Sequence, residues 1–341
     1  MVSAALQPNL ANVSTAFILC SALYILMVLL VLFWSRISAA APVLGFTMAR
    51  FEESPIHFRD TACIERSTHM NASENTYAYP NGIAGPAPEP APGDDAADSR
   101  LRRIMGDDGM DRLANATVMV LGLGGVGSSC VEALVRGGVG RLVLIDRDVV
   151  SPSNVNRQVI AFQSTMGRRK IDVMREMCLD INPNVHVVTK HSFVLAETFD
   201  ELYAECLEEC DGCIDFVLDC IDTISTKIFI AEFAQKHGLR LISAMGAANK
   251  LQPEYLRASD LYETVNDPIS RIMRKECRKR GIKHLRVVYS CEQPVPVPVR
   301  EGASRSERSN LGTASYMPPM MGQMIAAETL RAIAHVGEFA D

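Results

Sequence analysis

Residues 118–130, VMVLGLGGVGSSC, pass from an apolar run into four glycines and then resume as a helix-like pattern. That order commits the chain to a strand, a tight turn and a helix, and with it to an anion-binding loop. Gly122, Gly124, Gly125 and Gly127 let the backbone turn sharply and approach a phosphate, and the helix that follows points its unpaired N–H groups at the same place. Asp146 ends the next apolar run, 19 residues beyond Gly127, where an acidic residue normally grips ribose hydroxyls. The pattern fits a nicotinamide dinucleotide and ATP equally well.

Strand-like and amphipathic runs alternate from there. Segments 116–121, 141–146, 185–190, 214–219, 239–244 and 285–291 read as strands; 126–137, 168–181 and 223–237 have helical spacing, the last closed by Gly238. The fold class this predicts is α/β, a doubly wound Rossmann-like sheet over residues 99–341. Residues 300–310, REGASRSERSN, read as a mobile loop before a final helix that begins near Ser315.

The front of the chain is different in kind. Residues 1–35 carry no charged side chain, and 16–34 form a 19-residue apolar run, about 28 Å long as a helix and close to the ~30 Å bilayer core. This predicts a short N-terminal segment at 1–15 and a transmembrane anchor at 16–35. A cleaved signal peptide is the rival reading, with Ala39 and Ala41 spaced for cleavage, and initiation at Met48 or Met70 would remove the run altogether. Arg36 and Arg50 follow the run, which places the bulk of the chain on the cytosolic side of a membrane, the mitochondrial outer membrane among the candidates. Residues 36–98, with prolines at 86, 88, 90 and 92, form a linker, largely disordered.

A net charge of −6 excludes a global basic field, so any contact with nucleic acid must be local. Ten cysteines lie mostly in apolar or helical patterns, the signature of reduced thiols. Cys210 and Cys213 form a lone Cys-x-x-Cys without the second pair that zinc needs.

DRDVVSPSNVNRQVI and then GRRK follow Asp146. Attack on an α-phosphate builds negative charge, and Arg157 and Lys170 can offset it; a dehydrogenase has no such need. The ordered set GLGGVG, DRDVVSPSNVNRQ, Lys170 and DCIDTISTK resembles the adenylating core of the ubiquitin-activating-enzyme (HesA/MoeB/ThiF) superfamily. The resemblance implies ATP and Mg2+ as cofactors, ribose binding by Asp146, phosphate binding by Asn154 with Arg157 and by Lys170, and magnesium held by Asp222. It also implies a homodimer in which an arginine ahead of the first strand reaches the partner's nucleotide site; among Arg100, Arg102 and Arg103, Arg103 has the best spacing.

The second half narrows the branch. The segment SAMGAANKLQPEYLRASDLYETVNDPISRIMRKECRKRGI, the strand VVYSCEQP and the turn GTASYMPP resemble the tRNA threonylcarbamoyladenosine dehydratase branch, with its DPL segment, basic helix, V-F-S-x-E strand and G-S-A-S-F-V-P turn. The reaction this implies is ATP-dependent cyclisation of threonylcarbamoyladenosine next to the anticodon of tRNA, through an acyl adenylate. That branch's pattern places a cysteine two residues before the aromatic, where this chain has Val287, so Cys291 reads as lining the site and not as a nucleophile. Asp219 and Ser290 are further candidates.

Charge patterning supports an RNA partner independently. In residues 271–286 eight side chains are Lys or Arg and only Glu276 opposes them. Arg271, Arg274, Lys275, Arg278, Lys279, Arg280 and Lys283 are the candidate phosphate contacts; a solvated helix face or an anionic membrane is the alternative. The competing activities are adenylation of the C-terminus of a ubiquitin-like or sulfur-carrier protein, and a nonenzymatic membrane scaffold. A sulfur-transfer protein is a further candidate partner.

Overall fold

A computed structural model describes residues 96–297 and 311–337. The expected anchor at 16–35, nearly all of the 36–98 linker and the loop at 300–310 therefore lie outside the described residues. No helix among the described residues is long and apolar enough to cross a membrane.

The chain runs α1 (Ser99–Asn115), β1 (Thr117–Leu121), α2 (Gly125–Arg136), β2 (Arg141–Ile145), α3 (Lys170–Ile181), β3 (His186–Lys190) and α4 (Phe199–Glu209). It continues as β4 (Phe216–Asp219), α5 (Ile224–His237), β5 (Leu241–Ala244), β6 (Leu256–Asp260), α6 (Pro268–Lys279), β7 (Arg286–Ser290) and α7 (Met317–Ala334). The sheet order is β3-β2-β1-β4-β5-β7-β6. All neighbours are parallel except β6, which pairs antiparallel with β7. Because β1, β4, β5 and β7 are parallel, their carboxyl ends share one edge, where ligands bind in open α/β sheets.

Both faces are covered, as apolar strands without alternation require. Leu113, Leu134, Met174, Met321 and Ile325 belong to the core under one face. Phe199, Tyr203, Ile230, Phe233 and Met273 belong to the core under the other, where Phe199 meets Phe233 edge to face at 5.0 Å.

All six expected strands form, each within two residues of its predicted start. Gly238 closes α5 at φ 64°, a left-handed turn that a side chain resists. β6 escaped the sequence because Leu256–Asp260 reads LRASD, too polar to signal a strand; it is held as an edge by β7 alone. α4 was also missed, between two loops. Cys130, Cys178, Cys206, Cys210 and Cys277 are buried and unbridged.

Candidate nucleotide site

β1 ends at Leu121, and the chain turns through Gly122 at φ 87°. The Gly122 N–H donates to Ile145 O at 2.8 Å, tying the turn to the end of β2. A Cβ on Gly127 would lie 1.8 Å from Gly122 O, so α2 can start this close to the turn only with glycine there. Gly124 differs: nothing lies within 4 Å of where its Cβ would be. It precedes α2, whose first-turn N–H groups have no partner inside the helix. Gly124→Ala is expected to leave folding stability within about 0.5 kcal/mol while weakening ATP binding by roughly tenfold, read by thermal unfolding and by calorimetric titration.

Asp146 is nine-tenths buried at the carboxyl end of β2. One oxygen accepts from Leu123 N–H at 2.6 Å and the other from Asp148 N–H at 2.7 Å. It therefore fixes the glycine turn at the carboxyl end of β2. Asp148 passes the arrangement on: its Oδ2 accepts from Lys170 Nζ at 3.0 Å, and its carbonyl accepts from the Lys170 N–H at 3.0 Å. Lys170, with a side chain 6% exposed, opens α3 and is thus held at the same edge. Asp148, the second aspartate of DRD, gave no signal of its own in the sequence.

Asn154 and Arg157 come from the loop after β2. Asn154 is a buried turn-former: Oδ1 accepts from Ser151 N–H at 3.1 Å, and its carbonyl accepts from the N–H of Arg157 and of Gln158, each at 3.0 Å. It positions Arg157 through these backbone bonds. Arg157 donates to Ser153 O at 2.9 Å and to Asn156 Oδ1 at 2.8 Å. Its Cγ and Cδ lie 3.1 and 3.3 Å from where a Cβ on Gly125 would stand, so its stem rests against the start of α2, and α7 meets the same point through Pro318.

Asp222 is exposed beyond β4, and its Oδ1 accepts from Thr223 Oγ1 at 3.4 Å. The segment before it runs against the glycine turn: Cys220 N–H donates to Leu121 O at 2.9 Å. Asp219 does not face the site. It is wholly buried, accepting from Lys227 Nζ at 3.0 Å, Ser243 Oγ at 2.6 Å and Ile221 N–H at 3.1 Å, and so locks the end of β4. Ser290 is likewise buried, its Oγ accepting from Glu292 N–H at 3.3 Å. Cys291 donates to Tyr255 O at 3.3 Å. Burial pushes the Cys178 and Cys206 thiols up to about 12, which keeps them un-ionised and unreactive.

Arg103 is exposed on the first half of α1. The C-terminal half of that helix packs against Ala334 through Gly109, at the opposite end of α7 from Pro318. The basic segment divides. Arg274 donates to Thr264 O at 2.8 Å; Lys279 and Arg280 pair with Glu276 at 2.8 and 2.9 Å; Arg278 stacks over the Tyr262 ring at 5.2 Å. Arg271, Lys275 and Lys283 are exposed.

The model of the ThiF family matches residues 97–340. A tRNA threonylcarbamoyladenosine dehydratase of Bacillus subtilis is 42% identical over 200 residues, 58% of this chain and 76% of that protein. The tRNA threonylcarbamoyladenosine dehydratase 2 of Saccharomyces cerevisiae is 38% identical over 198 residues, 57% of this chain but 42% of its own length. The crystal structure of the Escherichia coli tRNA N6-threonylcarbamoyladenosine dehydratase in complex with ATP superimposes with a TM-score of 0.60 at 25% identity, over 69% of this chain and 93% of that one.

Proposed function

This chain belongs to the ThiF family, and on that premise we propose that it is an ATP-dependent dehydratase that closes the threonylcarbamoyl side chain of a modified adenosine, next to the anticodon of tRNA, into a ring. The observation that carries the reading is the continuous link from the glycine turn through Asp146 and Asp148 to Lys170, in a chain that over 200 residues is 42% identical to a tRNA threonylcarbamoyladenosine dehydratase.

The side chain's carboxylate is a poor electrophile, because its leaving group would be oxide. Its oxygen attacks the α-phosphorus of ATP, the bond to the bridging oxygen breaks, and pyrophosphate leaves with the electron pair. An acyl adenylate results. The carbamoyl nitrogen of the same side chain then attacks the acyl carbon, AMP leaves, and the nitrogen's proton is lost to solvent. The net change is loss of one water, driven by ATP. The second attack is intramolecular, so proximity favours it and no enzyme nucleophile is required.

The residues divide the work accordingly. The start of α2 receives phosphate oxygens on its N–H groups, Asp146 takes the ribose, and Arg157 and Lys170 offset the charge that builds on the α-phosphate. Among the described residues no cluster of three metal-ligating side chains exists. A lone exposed carboxylate still suits Mg2+, which takes one or two carboxylates and completes its shell with phosphate oxygens and water. Asp222 would hold it, and the ion would supply positive charge at the triphosphate.

The test is isotope exchange between pyrophosphate and ATP. Modified tRNA should stimulate it and unmodified tRNA should not; stimulation by a carrier protein alone would contradict the reading.

Three partners complete the proposal. Arg103 acts in the other subunit of a homodimer, so mixing inactive Arg103→Ala and Lys170→Ala proteins should restore activity by forming one intact site per heterodimer. No recovery after subunit exchange would refute the dimer role. Residues 16–35 anchor the enzyme, with the catalytic domain facing the cytosol at a membrane such as the mitochondrial outer membrane. The chain should then resist carbonate extraction from membranes, and deletion of 1–35 should release it. A sulfur-transfer protein that docks on the dimer should copurify with it.

A further inference from the structure

Arg157 carries its charge on a long side chain with many rotamers, so something must order it before it can meet a phosphate at one point. Nη1 donates to Ser153 O at 2.9 Å and to Asn156 Oδ1 at 2.8 Å. Both of its protons are thereby engaged, and the remaining donors are on Nε and Nη2. Asn156 is exposed on a loop, and such an amide orders a partner only if it is ordered itself. Its Nδ2 meets that need by donating to Thr313 O at 3.2 Å.

Thr313 is held in turn. Its neighbour Gly312 makes two bonds to Asn249: the Gly312 N–H donates to Asn249 Oδ1 at 2.8 Å, and the Asn249 N–H donates to Gly312 O at 2.8 Å. Beyond Thr313, the Tyr316 hydroxyl donates to Leu251 O at 2.8 Å. The segment before α7 is thus pinned on both sides of Thr313 to the loop that follows β5.

That loop is itself anchored. Lys250 is 1% exposed, and its ammonium donates to Ser290 O at 3.3 Å and to Glu292 O, at the end of β7. Glu292 Oε2 accepts from the N–H of Leu251 and of Gln252 at 3.0 and 3.1 Å. Asn249 takes φ 56°, a left-handed conformation that Asn adopts more readily than most residues. Its carbonyl accepts from Val295 N–H at 2.8 Å, so Asn249 joins the chain after β7 to the chain before α7.

We propose that Asn156 and Asn249 are positioning residues for adenylation. Through Thr313 and Gly312 they hold the Arg157 guanidinium in one place, so that its remaining donors meet the α-phosphate as charge builds there. Neither touches substrate. The inference rests on the reading of Arg157 as a phosphate-binding group of the dehydratase and adds the residues that aim it. Aim counts most in the transition state, so its loss lowers the rate of pyrophosphate release more than the affinity for ATP.

The experiment is single-turnover release of labelled pyrophosphate by the full-length protein with modified tRNA, over a range of ATP concentrations and beside thermal unfolding. Asn156→Ala should slow release about tenfold at saturating ATP, while the ATP concentration for half-maximal rate moves by less than about twofold. Asn156→Asp keeps an acceptor for Arg157 but loses the donor to Thr313 O, and should be as slow as Asn156→Ala. Asn249→Gly accommodates the left-handed backbone and removes only the acceptor for Gly312. It should slow release about threefold with little change in unfolding temperature, and Asn249→Asp, which keeps that acceptor, should restore the rate. In an Arg157→Ala background, adding Asn156→Ala should change nothing further, since it acts through the arginine. The role is overturned by a wild-type rate in Asn156→Asp or Asn249→Gly, or by an undiminished effect of Asn156→Ala once Arg157 is gone. If the wild type releases no pyrophosphate with modified tRNA, or Arg157→Ala releases it unimpaired, the underlying reading falls and the positioning role with it.

Discussion

Replacing Lys170 with alanine is expected to slow tRNA-dependent pyrophosphate release by about 10²–10³-fold, the usual cost of removing one fixed group that stabilises charge in the transition state. Arg157→Ala should cost a similar factor, and the double variant less than the product of the two, since both act on the same phosphate. The fold should survive. Asp148, the partner that Lys170 leaves behind, is 53% exposed, so losing the pair should change stability by less than about 1 kcal/mol. Single-turnover release of labelled pyrophosphate, set beside thermal unfolding, separates the two effects. A Lys170→Ala protein that adenylates at the wild-type rate would remove Lys170 from the mechanism.

The largest stability effect is expected at a residue that touches no substrate. Asp219→Ala would strand the Lys227 ammonium, 1% exposed, beside a position that is 0% exposed. Breaking a buried ion pair from one side costs about 3–5 kcal/mol, because the remaining charge is uncompensated. Replacing both members, Asp219→Leu with Lys227→Met, should recover much of the loss, as apolar substitutes for a buried pair often do. Denaturant unfolding of the two proteins checks this. If Asp219→Ala costs under about 1 kcal/mol, the pair does not hold β4 in place.

Different physical signals explain what the sequence disclosed and what it hid. The glycine turn, Asp146 and Lys170 were legible because each answers a local demand: close backbone approach, a carboxylate at a strand end, a cation ahead of a helix. Asp219 and Asp222 look equivalent in DCID, yet one residue ends a strand facing inward and the other begins a loop facing water. Only the sheet separates them. The basic stripe looked uniform in sequence, and packing divides it: Arg274 and Arg280 serve the fold, while Arg271 and Lys275 face solvent. Asn249 gave no chemical signal in the sequence, since its bonds to Gly312 arise only when the loop after β5 folds against the segment before α7.

Mass spectrometry of nucleosides tests the central claim most directly, using modified tRNA incubated with the purified protein, ATP and Mg2+. The account predicts that threonylcarbamoyladenosine is replaced by a nucleoside lighter by one water, with one AMP and one pyrophosphate formed for each product. An unchanged nucleoside, under conditions where the protein adenylates the C-terminus of a carrier protein, would contradict it.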